Sequence, residues 1–377
     1  MLAQNVRANR LDFSNTAFMP ESVKHKLVRN KLEYDDVLMT RSGANFGDTA
    51  VYKGQPDTIY ACADVLIIRS EKVPGGYLST YLNTKIGRAL LTRGAYGMAQ
   101  PHIAPNYLYT MTLPRFGESF ENGIDQLVIK SNESKKLAKS LYAEAEALLL
   151  HELGLDNLDL SAQKSYVANF SETVESDRFD AEYFQTKYKR LVNYLSTRYL
   201  TKSLKHLGQV TKGRSVEYYD SGIPVIRSGD LNDLDNLEEI KYTDPNQQYF
   251  LLQNGDICIS SIGFGSIGKI QIFNKEGKYA TVSEVTVIRQ KEINSYYLQI
   301  FLQSLAGQLQ IERYITGATG QLHLYPRDVE KIIVPIIPQE KQRQFEVFVM
   351  RSLQAKKQAK DLLEQAKQQV EQIILGG

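Results

Sequence analysis

The sequence predicts an α+β protein built from two copies of one domain. Each copy is expected to hold a twisted, mostly antiparallel sheet, and an antiparallel coiled coil of two long helices is expected to separate them. Three observations predict this: an internal duplication at a spacing of about 220 residues, short β-like runs around one helical stretch in each copy, and heptad-spaced apolar residues after each copy. A length of 377 residues suits two domains better than one.

The duplication is read strand by strand. Asp36-Val37-Leu38-Met39-Thr40-Arg41-Ser42-Gly43 followed by Phe46-Gly47 answers Asp256-Ile257-Cys258-Ile259-Ser260-Ser261-Ile262-Gly263 followed by Ile267-Gly268. Tyr60-Ala61 leads to Asp64-Val65-Leu66-Ile67-Ile68-Arg69, as Tyr279-Ala280 leads to Glu284-Val285-Thr286-Val287-Ile288-Arg289. Tyr77-Leu78 and Tyr81-Leu82 then answer Tyr297-Leu298 and Phe301-Leu302, Gly87 answers Gly307, Gly97 answers Gly317, and His102 answers His323. Within a copy, β-like runs bounded by Gly and Asn surround one helix near 75–92 or 295–313. Each copy closes with an apolar strand ending in proline, Leu113-Pro114 or Val334-Pro335.

The segments that follow are helical. Leu127, Ser134, Leu141, Leu148 and Leu155 recur every seven residues, flanked by Ala138 and Ala145. Phe345, Ser352, Ala359, Ala366 and Ile373 do the same, with Leu362, Leu363 and Val370 broadening the stripe. Such heptads predict coiled-coil helices, and the small residues permit close approach. The stretch from Leu127 to Leu155 would make a rod of about 43 Å, or about 13 base pairs of duplex. Two amphipathic helices, each packed only on its own domain, are the plainer alternative. The expected division is 1–120 for the first domain, 121–155 for the central helix, 156–169 for a linker, 170–338 for the second domain and 339–377 for the C-terminal helix.

Charge and absences narrow the function. The net charge is +2, distributed as +4 over residues 1–120 (14 basic, 10 acidic) and −1 over 170–338 (19 basic, 20 acidic). A protein gripping DNA alone through many phosphates would be more basic, so either nucleic acid is not the partner or other subunits share the grip. No apolar run reaches a membrane span and the N-terminus has no secretory apolar core, so no membrane is expected and the cytoplasm is the expected location. Cys62 and Cys258 lie in apolar β-like runs, without a metal-ligand spacing, and read as small buried hydrophobes. Gly263-Phe264-Gly265-Ser266-Ile267-Gly268 matches a dinucleotide-binding pattern, but a strand-like Lys269-Ile270-Gln271-Ile272-Phe273 follows where a helix is required. A glycine turn between strands is expected there. Neither a phosphate loop nor an Asn/Asp-Pro-Pro-aromatic motif is present.

Candidate contacts gather around that turn. Arg41, Ser42, Ser260 and Ser261 precede it, and Lys53, Gln100, His102, Arg214, Arg227, Lys269, Gln321 and His323 lie in nearby polar or loop segments. Arg and Gln suit bidentate contacts with base edges, and Lys and Ser suit phosphates. A histidine tying down a loop is the alternative for His102 and His323, since no catalytic partner recurs beside both.

The order of an Asp-Ile-type strand, a glycine turn, a Tyr-Leu helix, a Gly-rich stretch ending near His and a strand ending in Pro resembles the target-recognition domain of the specificity subunit of type I restriction–modification systems. Pro335-Ile336-Ile337-Pro338-Gln339-Glu340-Lys341-Gln342 is similar to the start of that family's conserved helices, with Lys341 where the family often has Glu. Ser176-Asp177-Arg178-Phe179-Asp180-Ala181-Glu182-Tyr183-Phe184 is similar to the opening of many such domains. About 85 residues precede Asp256 in the second copy and 35 precede Asp36 in the first, so an N-terminally shortened first domain is expected.

The resemblance implies a chain that is not itself an enzyme. It implies a subunit that reads a split target on double-stranded DNA and directs methyltransferase (modification) subunits and restriction/translocase subunits to it. The coiled coil, through Leu127, Leu141, Leu148, Phe345, Leu362 and Ile373, would dock them. No cofactor is expected in this chain; S-adenosylmethionine, ATP and Mg are expected on the partner subunits. The alternatives are a truncated or divergent methyltransferase or nuclease, a coiled-coil scaffold that does not read DNA, and a shortened, inactive or domain-donor specificity protein.

Overall fold

Side-chain alternation decides what the central strand of each copy packs against. In a computed structural model that describes residues 1–377 except 14, 15, 44, 98–100, 235, 236, 238, 264, 318–321 and 377, the chain divides into two units. One comprises Met1–Ala138 and Gln354–Gly377, the other Lys139–Leu353.

In the first unit, β1 (Val37–Thr40) lies between β2 (Thr49–Val51) and β3 (Val65–Ile68). Both pairings are antiparallel, with Val37 opposite Val51 and Ile68. Val37 and Met39 face a cluster with Tyr77, Tyr81, Leu82 and Leu91. Leu38 points the other way, to Val6, Leu32, Tyr52 and Ile59. A strand buried on both faces is the result, and the period of two sorts its side chains between two cores. The helices α1 (Gly75–Leu82) and α2 (Lys85–Arg93) cover the first face, and the unit's first stretch ends within the long helix α3 (Glu118–Glu152).

The second unit repeats this plan. Strands β4 (Gly208–Lys212), β5 (Ile257–Ser260), β6 (Ile270–Ile272) and β7 (Val285–Gln290) form one sheet, in which β5 lies between β6 and β7. Ile257 stands opposite Ile272 and Ile288, the register of Val37 in the first unit. Ile257 and Ile259 face the helical side, covered by α4 (Ser295–Gln303) and α5 (Leu305–Tyr314), while Cys258 faces a second cluster. That cluster sits on a small sheet whose one parallel pair is Val225–Ile226 with Ala280–Thr281. The strand β8 (Ile333–Pro335) pairs with Thr201–Ser203, and α6 (Gln339–Leu375) follows.

Two features differ from the sequence expectation within the copies. The single helix per copy is two, broken at Asn83-Thr84 and at Ser304. The break follows from Gly87 and Gly307, which let the second helix fold back onto the end of the first. A Cβ on Gly87 would lie 2.2 Å from the Tyr81 carbonyl oxygen, and one on Gly307 2.4 Å from that of Phe301. Thr84 caps the new start by accepting from the Gly87 N–H at 3.1 Å. The closing strand of the first copy is also absent: residues 111–117 are irregular. In the second unit that strand exists because Thr201–Ser203 pairs with it, and among the described residues of the first unit no equivalent segment is present. Likewise β4 flanks β7, whereas no strand among the described residues flanks the outer edge of β3. The closing turn is nevertheless tethered alike, since Tyr77 donates to the Pro114 carbonyl at 2.6 Å and Tyr297 to that of Pro335 at 2.7 Å.

One polar device is common to both units. Arg69 grips Asp36 through Nε and Nη2 at 2.8 and 3.1 Å, and Arg289 grips Asp256 at 2.9 and 2.7 Å. Each aspartate is 2% exposed and also accepts a backbone N–H three residues before it, from Glu33 at 2.7 Å or Gln253 at 2.8 Å. Each arginine also donates to a carbonyl of the preceding turn, Lys31 or Leu251.

The long helices pair within each unit. In the first, Ile124 and Val128 share a core with Ala366 and Val370, and Ser131 Oγ donates to the Ala359 carbonyl at 2.7 Å. In the second, Ala145 and Leu149 share a core with Phe345 and Val349, and Lys341 pairs with Glu152. Rising numbers on one helix meet falling numbers on the other, so the pairing is antiparallel. The buried seam keeps Ser134, Ala138, Leu141, Ala145, Phe345, Ser352, Ala359, Ala366 and Val370 of the expected stripe and shifts off Leu127, Leu148 and Ile373. It runs through Ile124, Val128, Ser131, Ser134, Ala138, Leu141, Ala145 and Leu149 on α3 and through Phe345, Val349, Ser352, Ala355, Ala359, Ala366 and Val370 on α6. Of the expected seam residues, Leu141 and Phe345 are buried, Leu127, Leu148 and Leu362 are half-buried, and Ile373 is exposed. Small residues hold the seam because they bring the two backbones close enough for the Ser131 hydroxyl to reach a carbonyl of the partner helix.

Ala ordinarily stabilises a helix over Gly by about 1 kcal/mol. Gly87→Ala and Gly307→Ala are expected to do the reverse and cost about 1–3 kcal/mol through overpacking. Thermal melting reads the sign, and a raised melting temperature in either variant would contradict the fold-back packing.

Candidate nucleic-acid interface

At one end of each central strand three segments converge, and their backbone bonds match between units. The Gly47 N–H donates to the Thr40 carbonyl at 2.8 Å and that of Gly268 to the Ser260 carbonyl at 2.8 Å, closing the glycine turn. Gly43 (φ +93°) and Gly263 (φ +113°) take the left-handed conformation that the turn requires. Arg41 N–H bonds the Asp64 carbonyl and Ser261 N–H bonds that of Glu284, both at 2.8 Å. The histidine loop lies alongside: Ser42 bridges His102, and Ile262 bridges His323. The segment after Gly268 is β6, so the glycine pattern is a strand-to-strand turn, as the sequence suggests.

Side chains on this shared frame differ. In the first unit Arg41 Nε is buried without a hydrogen-bond partner, Ser42 Oγ donates to Asp64 Oδ1 at 3.3 Å, and Tyr96 lies against His102 with ring centroids 5.9 Å apart. In the second unit His323 stacks on Tyr325 at 5.8 Å with 10° between the rings. The two tyrosines come from opposite flanks. Tyr96 pairs with His102 across a ladder as Thr316 pairs with His323, whereas Tyr325 aligns with Ala104.

The other candidates sort by place. Ser260 and Ser261 are wholly buried, Ser261 donating to Thr286 Oγ1 at 2.6 Å, so neither hydroxyl is accessible to a phosphate in this structure. Strand parity turns Ser260 into the core. Lys53 is drawn inward by Asp35 at 2.5 Å and Asp125 at 2.7 Å, with 9% of its side chain exposed. Burial works against its charge, but the bonds it donates to Asp125 and Asp35 outweigh this and raise its pKa. Arg227 closes on Asp230 and the Glu239 carbonyl. Arg214 bonds Gln248, and Lys269 is half-buried after Gly268. Gln100 and Gln321 lie outside the described residues. The expected opening motif is an ordered turn: Asp180 caps Ala181–Phe184, Arg178 pairs with Asp180, and Tyr183 and Phe184 are buried.

Three surface residues near His323 carried no sequence signal of their own: Lys212 at the end of β4, Tyr325 and Arg327. Lys212 Nζ and the Arg327 guanidinium stand 5.4 and 5.5 Å from the Tyr325 ring centroid. The nearest clue was an aromatic residue two positions after His323.

The two units thus share a scaffold and its loop bonds and differ in the side chains the loops carry. Residues 198–372 match the family described as type I restriction modification DNA specificity domain. The matched stretch lies mostly in the second unit, and the clamp, glycine turn and histidine loop it contains recur in the first unit. No curated protein matches the chain in sequence. Among solved structures, the chain is similar to the S subunit of a type I restriction–modification system from M. genitalium, at 16% identity and a TM-score of 0.43, covering 88% of this chain and 80% of that one. It is similar to the HsdS subunit from Thermoanaerobacter tengcongensis at 14% identity and a TM-score of 0.33, covering 100% and 89%. A third similar chain comes from work on complex assembly and conformational transition of the type I system, at 15% identity and a TM-score of 0.34, covering 92% and 81%.

Lys53→Met is expected to lower the melting temperature by leaving Asp125 uncompensated, at a cost of about 1–3 kcal/mol, and to leave DNA affinity unchanged. Loss of DNA affinity at unchanged melting temperature would show instead that Lys53 reaches the duplex.

Proposed function

We propose that this chain is a non-catalytic specificity subunit that reads a bipartite DNA target, one half with each unit, and directs its partner subunits to it. The observation that carries the reading is the pair of equivalent loop assemblies bearing different chemistry. Ser42 on one stands where Ile262 stands on the other, Asp48 stands where Lys269 stands, and Ala104 stands where Tyr325 stands. An identical frame with different side chains suits two different half-sites, because base edges are discriminated by side-chain donors and acceptors.

The partners are methyltransferase (modification) subunits and restriction/translocase subunits in the cytoplasm, which would carry S-adenosylmethionine, ATP and Mg. Exposed apolar residues on α6, Val347 and Met350, suit burial against such a subunit. No helix among the described residues is long and apolar enough to cross a membrane.

Methylome sequencing of cells that express the chain with a matching modification subunit tests the reading. Methylated adenine within a split motif is the expected result. Methylation of one undivided motif, or none above a strain lacking this chain, would refute it.

A further inference from the structure

The surface around Tyr325 in the second unit has no counterpart in the first. Tyr325 is 37% exposed, with His323 stacked on it and Lys212 and Arg327 at its ring. A ring face attracts a cation, yet two cations beside one ring also repel each other. Carboxylates do little to relieve this. Among the described residues Lys212 makes no ion pair, and Arg327 Nε approaches only Asp328, at 4.0 Å. Asp328 is itself held by Lys331 at 2.8 Å. The Arg327 side chain is 81% exposed. A positive, aromatic cluster standing open beside the glycine turn lacks only an anion.

In the first unit Ala104 occupies the place of Tyr325 and Asn106 that of Arg327, as Pro105 and Pro326 begin equivalent helices. No strand among the described residues stands where β4 carries Lys212. The equivalent end of that unit therefore offers Arg41, Tyr96 and His102 without this cationic pair.

We propose that Lys212, Tyr325 and Arg327 grip the DNA phosphate backbone and that the second unit alone carries this grip. The two units then contribute unequally: the second anchors the chain on the duplex, and the first adds discrimination with fewer phosphate contacts. The inference rests on the DNA reading above and specifies which residues supply its charge-dependent share.

The test is the salt dependence of binding. Affinity of the full chain with its modification subunits for a duplex bearing the target is measured from 50 to 200 mM salt. Each phosphate contact contributes about 0.9 to the slope of log K against log salt. Lys212→Gln combined with Arg327→Gln is expected to reduce the slope by about 1.8. Lys212→Arg combined with Arg327→Lys is expected to restore it, which separates lost charge from lost folding. Asn106→Ala in the first unit is expected to leave it unchanged. An unaltered slope in the double Gln variant, with the wild type still binding its target, overturns the grip but leaves the specificity reading intact. Wild-type protein that shows no preference for any duplex overturns both.

Discussion

The aspartate–arginine clamp at the start of each central strand is the constraint on which both units depend. Asp36 and Asp256 are almost fully buried, and a buried carboxylate is tolerated only when charge and hydrogen bonds satisfy it. Arg69 and Arg289 do so from the neighbouring strand while also tying down the preceding turn. The hydrogen bond to each aspartate raises the pKa of its arginine. One pair of groups thus fixes the turn, the entry of the central strand and its pairing with β3 or β7. Removing one partner from such a pair costs about 3–5 kcal/mol when burial is complete, and less here because the arginines are partly exposed.

With one end of the strand fixed, the other end is free to vary. The glycine turn and histidine loop hang on backbone hydrogen bonds that are indifferent to side-chain identity, so Arg41 can replace Ser261, or Tyr96 replace Tyr325 from the opposite flank, without disturbing the frame. That separation of scaffold from reader is what a family of DNA specificity domains requires, since a new target then needs new side chains and no new fold.

Much of this was legible in the sequence because it is local or periodic. The strands show as alternating runs, the glycine turn as a pattern followed by a strand, and the long helices as heptads. What was not legible depended on contacts distant in sequence. Lys53 looked like a surface cation until Asp125, 72 residues away, was seen to hold it. Heptad spacing gives Ala138, Ala145, Ala359 and Ala366, which the structure buries, but also Leu127 and Leu148, whose places in the seam are taken by Val128 and Leu149 one residue later. Ser260 and Ser261 are suggested by their place before the glycine turn, but strand parity takes Ser260 inward and Thr286 holds Ser261. The cluster around Tyr325 joins β4 to a loop more than 100 residues later, which no spacing rule anticipates.

The central claim is that two versions of one module each read their own half of a split target. Its most direct test replaces residues 170–338 with the equivalent domain of another specificity subunit and maps methylated adenines in cells carrying the chimaera. One half of the recognised motif is expected to change while the other half is retained. A motif that changes in both halves, or in neither, would contradict it.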